Sequence, residues 1–152
     1  MSRGKWRQVP SIKEVHELIE CAEEKIKRDP VIFVGCVESS TLLGKVLDKA
    51  GIPWERKFGQ VRTIRGEVVH HCWLETKDIV IETNPSQVLG LDKGALAIEK
   101  DIWERLTRPR EEPEILPRIE PTEAGHRFYE REAEQILQCY RVKKAGTGGG
   151  RR

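Results

Sequence analysis

Apolar residues recur at helical spacing in the first third of the chain. In residues 11–28 they follow each other at intervals of three and four, with charged residues between them. This pattern is typical of a helix that buries one side. Ser11 with Glu14 three residues later indicates a capping box at its start. The same spacing predicts a second, more apolar helix over 37–50, ended by Gly51.

The pattern then changes from helical spacing to strand-like segments. Trp54–Ile64 is a mixed strand candidate, and Val68–Thr76 is rich in β-branched and aromatic residues. A tight turn at Lys77 and Asp78 leads into a third strand candidate, Ile79–Thr83. Two helices followed by an antiparallel meander predict an α+β fold, in which the second helix packs on a small sheet.

The rest of the chain is less regular. Apolar residues within 95–106 are spaced as in a helix, and four prolines follow among charged residues in 107–121. The predicted organisation is an N-terminal lead-in (1–10), a core (11–106), a Pro-rich linker or loop (107–121), a C-terminal helix (122–142) and a disordered tail (143–152).

Composition narrows the class of protein. The chain has 152 residues, of which 38% are hydrophobic and 34% charged, with a net charge of +2. The hydrophobic share excludes a disordered chain, and the balanced charge argues against a dedicated nucleic-acid binder. No apolar run has membrane-spanning length, and the N-terminus does not resemble a signal peptide. We therefore expect a soluble cytoplasmic domain with no membrane or nucleic-acid partner, of thermophile-like composition. The oligomeric state stays open.

The chain has four cysteines, and no two of them have the spacing of a C-x-x-C pair: Cys21, Cys36, Cys72 and Cys139. A zinc ribbon or thioredoxin motif is therefore not supported, and we expect free thiols that pack as small hydrophobic groups. A zinc site that combines Cys36 with His70, His71 and Cys72 is awkward, because neighbouring strand residues point to opposite faces. We predict no metal and no cofactor.

Cys36 differs from the other three because it lies where the second helix begins. A helix N-terminus favours thiolate over thiol, and its free N–H groups can hold an oxyanion. His71, on the second strand, can serve as a base, and Glu82, at the end of the third, can orient its ring. His70 is the other candidate base, because neighbouring side chains of a strand point to opposite faces of the sheet. His71 faces the cleft if Cys72 packs inward. If both faces of the sheet are covered, the choice between the two histidines stays open.

These residues, with their neighbours, resemble the transglutaminase-like superfamily of papain-fold cysteine enzymes. The resemblance is carried, in order, by Gly35-Cys36-Val37-Glu38-Ser39, Ala50-Gly51-Ile52-Pro53, Gly59-Gln60-Val61, His71-Cys72-Trp73-Leu74-Glu75 and Val80-Ile81-Glu82-Thr83-Asn84-Pro85. It covers about residues 33–86. In size the chain is nearest to the small leader peptidases of lasso-peptide maturation.

The resemblance implies a papain-like core and thioester chemistry. Cys36 would attack a carbonyl, His71 would move protons, and Glu82 would orient His71, although the family more often has Asp at that third position. The implied activity is a cysteine-dependent amide hydrolase acting on a peptide or protein. We also assign Gly35 and Trp73 to substrate binding, Gly35 because it permits close approach and Trp73 as an aromatic wall.

Two other functions are compatible with the same residues. One is acyl transfer to an amine, as in transglutaminases, which uses the same triad. The other is a catalytically inactive module that keeps the fold and binds a peptide or protein.

Overall fold

The protein has an α+β fold with an antiparallel sheet. The structure, a computed structural model, describes residues 11–28, 36–108, 114–116 and 122–149. Within these ranges the helices are α1 (Ile12–Arg28), α2 (Cys36–Lys49), α3 (Pro85–Leu89), α4 (Lys100–Thr107) and α5 (Glu123–Gly149). The strands are β1 (Glu55–Arg62), β2 (Val68–Thr76), β3 (Ile79–Glu82), β4 (Leu96–Glu99) and β5 (Glu114–Leu116). They form one sheet in the order β4-β3-β2-β1-β5, with every pair antiparallel.

Each face of the sheet carries its own hydrophobic cluster. On one face, Leu74, Ile79 and Ile81 pack with the buried side chains of α1, α2 and α5. On the other face, Trp73 and Val80 pack with residues of α3 and α4. We call these the three-helix face and the two-helix face. Because strand residues alternate, successive positions of β2 and β3 belong to opposite faces.

The predicted capping box and turns are confirmed. Glu14 N donates to Ser11 Oγ at 3.1 Å, and Ser11 N donates to Glu14 Oε1 at 3.0 Å. Gly51 ends α2 with a φ of +76°, which a residue with a Cβ rarely adopts. The turn between β2 and β3 places Lys77 at a φ of +55°. These local signals mark where α1 begins, where α2 ends and where the chain turns between β2 and β3.

The helix predicted over 95–106 is wrong at its beginning. Leu96–Glu99 forms β4, paired with β3, and only Lys100–Thr107 is helical. Ala97 points to the three-helix face, whereas Leu96 and Ile98 pack on the two-helix face. This period-two burial is decided by the neighbouring strand, which local spacing does not reveal.

Three further differences concern the boundaries. Asn84-Pro85-Ser86 follows the third strand candidate as a predicted strand end, and in the structure it begins the short helix α3 (Pro85–Leu89), with Asn84 as its N-cap and Gly90 after its end. The predicted linker 107–121 contains the strand β5, which pairs with β1. The last helix continues to Gly149, past the predicted end at 142, because 143–149 contains no proline and Lys143 and Lys144 pair with acidic residues of α1. The predicted lead-in (1–10) and the end of the tail (150–152) lie outside the described residues.

In the part of the chain that the structure describes, no helix combines the length and the apolar character needed to cross a membrane.

Candidate active site

His71 and Glu82 meet on the two-helix face of the sheet. His71 Nε2 lies 2.7 Å from Glu82 Oε2. The antiparallel pairing of β2 with β3 carries Glu82 back beside β2, as the hairpin predicted. On the other side, His71 pairs with Gly59 of β1, so the residue directly opposite it on that strand has no side chain. Two of the three residues assigned to catalysis are therefore in direct contact.

Glu82 is held by two further hydrogen bonds. The backbone N–H of Asn84 donates to Oε2 at 2.7 Å, and Trp103 Nε1 donates to Oε1 at 3.0 Å. Asn84 is placed by its role as N-cap of α3, and Trp103 is anchored in the cluster of the two-helix face. Both carboxylate oxygens thus have donors, and the carboxylate has a defined orientation toward His71.

The burial of this pair is unusual for a structural contact. His71 is 2% exposed and Glu82 is fully buried. Ionisable groups are seldom placed in a core, because removal from water costs more than an average hydrogen bond returns. Such a pair is a candidate functional element when its partners are fixed. Here Glu82 uses Nε2, so Nδ1 is the ring nitrogen that faces away from the carboxylate.

The neighbouring histidine has a different environment. His70 is exposed, and its ring stacks on Phe58 with centroids 5.7 Å apart and an interplanar angle of 7°. It shares the three-helix face with Leu74, and so with the buried side chains of α2. Both faces of the sheet are covered by helices. In that situation the alternation of side chains along β2 does not choose between His70 and His71. The acidic partner belongs to His71.

Trp73 is part of the aromatic wall beside this pair rather than an exposed surface. It is 1% exposed, its ring lies 4.6 Å from that of Trp103, and His71 stacks on it at 6.0 Å. Its Nε1 donates to Glu75 Oε2 at 3.0 Å. Trp73 therefore packs against the His71 ring, and only 1% of it is exposed; its assignment to substrate binding stays a prediction.

Glu75 is a second buried carboxylate on the two-helix face. Burial raises its pKa, but hydrogen bonds from Trp73 and Lys100 and the charge of Lys57 outweigh burial and lower the pKa below its usual 4.5. The Nζ atoms of Lys57 and Lys100 lie 3.5 Å and 3.2 Å from Oε1. Unlike Glu82, Glu75 is paired with lysines and not with a histidine. We therefore assign it a structural role on the two-helix face.

Cys36 is the first residue of α2, as predicted for a cysteine at a helix N-terminus. The backbone N–H groups of the first turn of a helix have no partner within the helix, and the helix dipole is positive there. The side chain of Cys36, and Gly35 as a whole, lie outside the described residues. The structure thus brings together His71, Glu82 and Trp73 and assigns Cys36 its helix position.

Sequence reasoning missed the two residues that orient Glu82. Asn84 carried a local signal, since Asn followed by Pro is a common way to begin a helix. Trp103 carried a signal for burial only, because its contact with Glu82 joins two elements 21 residues apart. Within the described ranges, no group of three His, Cys, Asp or Glu side chains converges to hold a metal ion.

No protein-family model, no curated protein and no solved structure matches this chain. The function proposed below therefore rests on the residues and their geometry.

Proposed function

We propose that the protein is a cysteine-dependent amide hydrolase of the transglutaminase-like type, acting on a peptide or protein substrate. Cys36 is the nucleophile, His71 the general base and acid, and Glu82 the residue that positions His71. The observation that carries the proposal is the buried 2.7 Å contact between His71 and a carboxylate whose two oxygens are both occupied by donors.

Each of the three residues has a defined task in this reaction. Glu82 holds the imidazole by Nε2 and stabilises its protonated form, which leaves proton transfer to Nδ1. Nδ1 takes the thiol proton of Cys36 as the sulfur attacks the substrate carbonyl. It then delivers that proton to the leaving amine, and water releases the acyl group from the resulting thioester. The N–H groups of the first turn of α2 are the donors available to the oxyanion.

The mechanism sets a geometric condition on the N-terminal end of α2. Its buried residues from Leu42 to Leu47 pack on the three-helix face, whereas His71 points to the other face. Cys36 precedes Leu42 by six residues, about 9 Å of helix axis. The proposal requires this N-terminal end of α2 to present the sulfur to Nδ1 of His71.

A small ester tests the chemistry without knowledge of the natural substrate. His71 is almost fully buried, so p-nitrophenyl acetate is a suitable probe because of its size. We expect a burst of about one nitrophenolate per chain followed by slow turnover, which is the sign of an acyl-enzyme. Cys36→Ser and His71→Asn should each lower the burst rate by about 100-fold or more, the usual contribution of a nucleophile–base pair.

Two matched variants keep the result specific. His70→Asn alters the adjacent residue on the opposite face, and Cys139→Ser removes a thiol of another helix; both should retain the burst within about three-fold. An unchanged burst in Cys36→Ser contradicts the proposal. A loss in His70→Asn with retention in His71→Asn contradicts the assigned base. With an added primary amine, release of free acetate supports hydrolysis, whereas formation of the acetylated amine shows acyl transfer instead.

A further inference from the structure

Two cysteines from distant parts of the chain meet in the helical layer. Cys21 of α1 and Cys139 of α5 have their Sγ atoms 3.2 Å apart. Cys21 is buried and Cys139 is half-buried. Both lie with the cluster of the three-helix face, on the other side of the sheet from Glu82. The contact is therefore separate from the proposed reaction.

We propose that Cys21 and Cys139 form a reversible disulfide that links α1 to α5. The sulfur atoms need to approach by about 1.2 Å to reach a bond length of about 2.0 Å, a change within reach of small side-chain rotations. Cysteine pairs that form disulfides must already have facing side chains, since separated or diverging ones need backbone movement. A hydrogen-bonded thiol pair meets that condition.

Ion pairs around the two thiols fix the alignment of the helices. Lys25, one turn after Cys21, lies 2.9 Å from Glu132 of α5. Lys143, one turn after Cys139, lies 3.5 Å from Glu24 of α1. On α5, Glu132 precedes and Lys143 follows Cys139, so the two ion pairs together oppose sliding of α5 along α1, which would separate the sulfur atoms. The site is thus held in register by side chains other than the cysteines.

The two thiols have different parts in the exchange. Burial, together with the contact to Cys139, raises the pKa of Cys21 to about 12, so Cys21 is a poor first nucleophile. Cys139 is the more exposed thiol and lies one turn before the cation of Lys143. We therefore assign the first attack to Cys139, with a small disulfide such as oxidised glutathione as the oxidant.

The exchange balances in two steps. The thiolate of Cys139 attacks one sulfur of oxidised glutathione, forms a mixed disulfide and releases one glutathione thiolate. Cys21 then loses its proton and attacks the Cys139 sulfur, which expels the second glutathione. Two protein thiols and one small disulfide become one protein disulfide and two small thiols. An excess of reduced glutathione reverses both steps.

The link closes a loop of more than 100 residues, because Cys21 and Cys139 are 118 positions apart. Long loops give the largest restriction of the unfolded chain, so the oxidised form should resist unfolding more strongly. We expect the midpoint of thermal unfolding to rise by about 10 °C on oxidation.

The test uses the folded full-length chain in defined mixtures of oxidised and reduced glutathione. After blocking of free thiols, proteolysis and mass spectrometry should identify a peptide pair joined through Cys21 and Cys139, which disappears on reduction. Thermal unfolding of the same samples should show the rise in midpoint. Cys139→Ser and Cys21→Ser should show neither the linked peptides nor the rise, and Cys72→Ala should keep both.

The mapping of the unmodified chain decides the question even if a variant folds poorly. Absence of the Cys21–Cys139 peptide pair at high oxidised glutathione overturns the proposal. A link formed by other cysteines also overturns it, as does an equal rise in midpoint in Cys139→Ser.

Discussion

Replacement of Glu82 by Gln tests whether the carboxylate holds the site together. The substitution keeps the size of the side chain but turns one acceptor oxygen into an NH2 donor. In the native site, Oε2 accepts from His71 and from the backbone N–H of Asn84, and Oε1 accepts from Trp103. Both oxygens face donors, so no orientation of the amide satisfies all three contacts.

The cost follows from counting the donors left without an acceptor. If the amide oxygen takes the place of Oε2, the new NH2 group faces Trp103 Nε1–H across the former 3.0 Å contact. The opposite orientation is worse, because it places NH2 against both the Asn84 N–H and His71 Nε2 and so disturbs two contacts instead of one. In the better orientation one buried donor is unsatisfied, at about 1–3 kcal/mol, and the charge-assisted bonds to the carboxylate weaken by about 1 kcal/mol more. We expect a total loss of about 3 kcal/mol in the free energy of unfolding.

Urea unfolding at pH 7 measures this loss, and thermal unfolding should show a midpoint lower by about 6–12 °C for a chain of this length. Trp103→Phe supplies the control, because it removes the donor that opposes the amide. In that background Glu82→Gln should cost at least about 1 kcal/mol less than in the native protein. A cost of Glu82→Gln below about 0.5 kcal/mol, or an equal cost in both backgrounds, would refute this account of the carboxylate.

Two further predictions concern Gly44 of α2 and Glu75 of β2. Gly44→Ala places a Cβ 2.5 Å from Trp54 Cζ2, so it should lower stability by about 1 kcal/mol or more despite the better helix propensity of Ala. The same change at Gly146, where a Cβ meets no atom within 4 Å, should not lower stability, and a loss at Gly146 equal to that at Gly44 would contradict the steric reason. Glu75 has a lowered pKa, because its hydrogen bonds and lysine partners outweigh burial, so its stabilising effect is present above its unfolded pKa and disappears as pH falls through its folded pKa, below 4.5. The difference in unfolding midpoint between the native protein and Glu75→Gln should therefore be largest near neutral pH and shrink toward pH 3, and a constant difference would contradict it.

Local signals predicted those parts of the fold that depend on nearby residues. The capping box of Ser11 and Glu14 acts within the first turn of α1, and Gly51 acts next to the last turn of α2, so the start of α1 and the end of α2 could be predicted from local sequence. Leu96–Glu99 was assigned to a helix because its apolar residues run into those of α4 without a break. Only pairing with β3 shows that its side chains alternate between two covered faces.

The candidate site shows the same division. The hairpin predicted that Glu82 returns beside β2, and its contact with His71 follows from that local geometry. The contact with Trp103 depends on how α4 packs on the sheet, which no local pattern determines. Alternation predicted that His70 and His71 point to opposite faces, but it did not choose between them, because the coverage of both faces by helices is a tertiary feature. The contact of His71 with Glu82 is present in the structure, whereas the pairing of Cys36 with His71 stays a prediction.

The reactivity of the Cys36 thiol tests the central claim most directly. The rate of alkylation of Cys36 by iodoacetamide, mapped by mass spectrometry, is measured from pH 5 to 9 in the native protein, His71→Asn and His70→Asn. The account predicts that Cys36 reacts with a midpoint below about pH 7, that His71→Asn moves the midpoint toward the ordinary thiol value of about 8.5, and that His70→Asn leaves it unchanged. A midpoint near 8.5 in all three proteins would contradict the account.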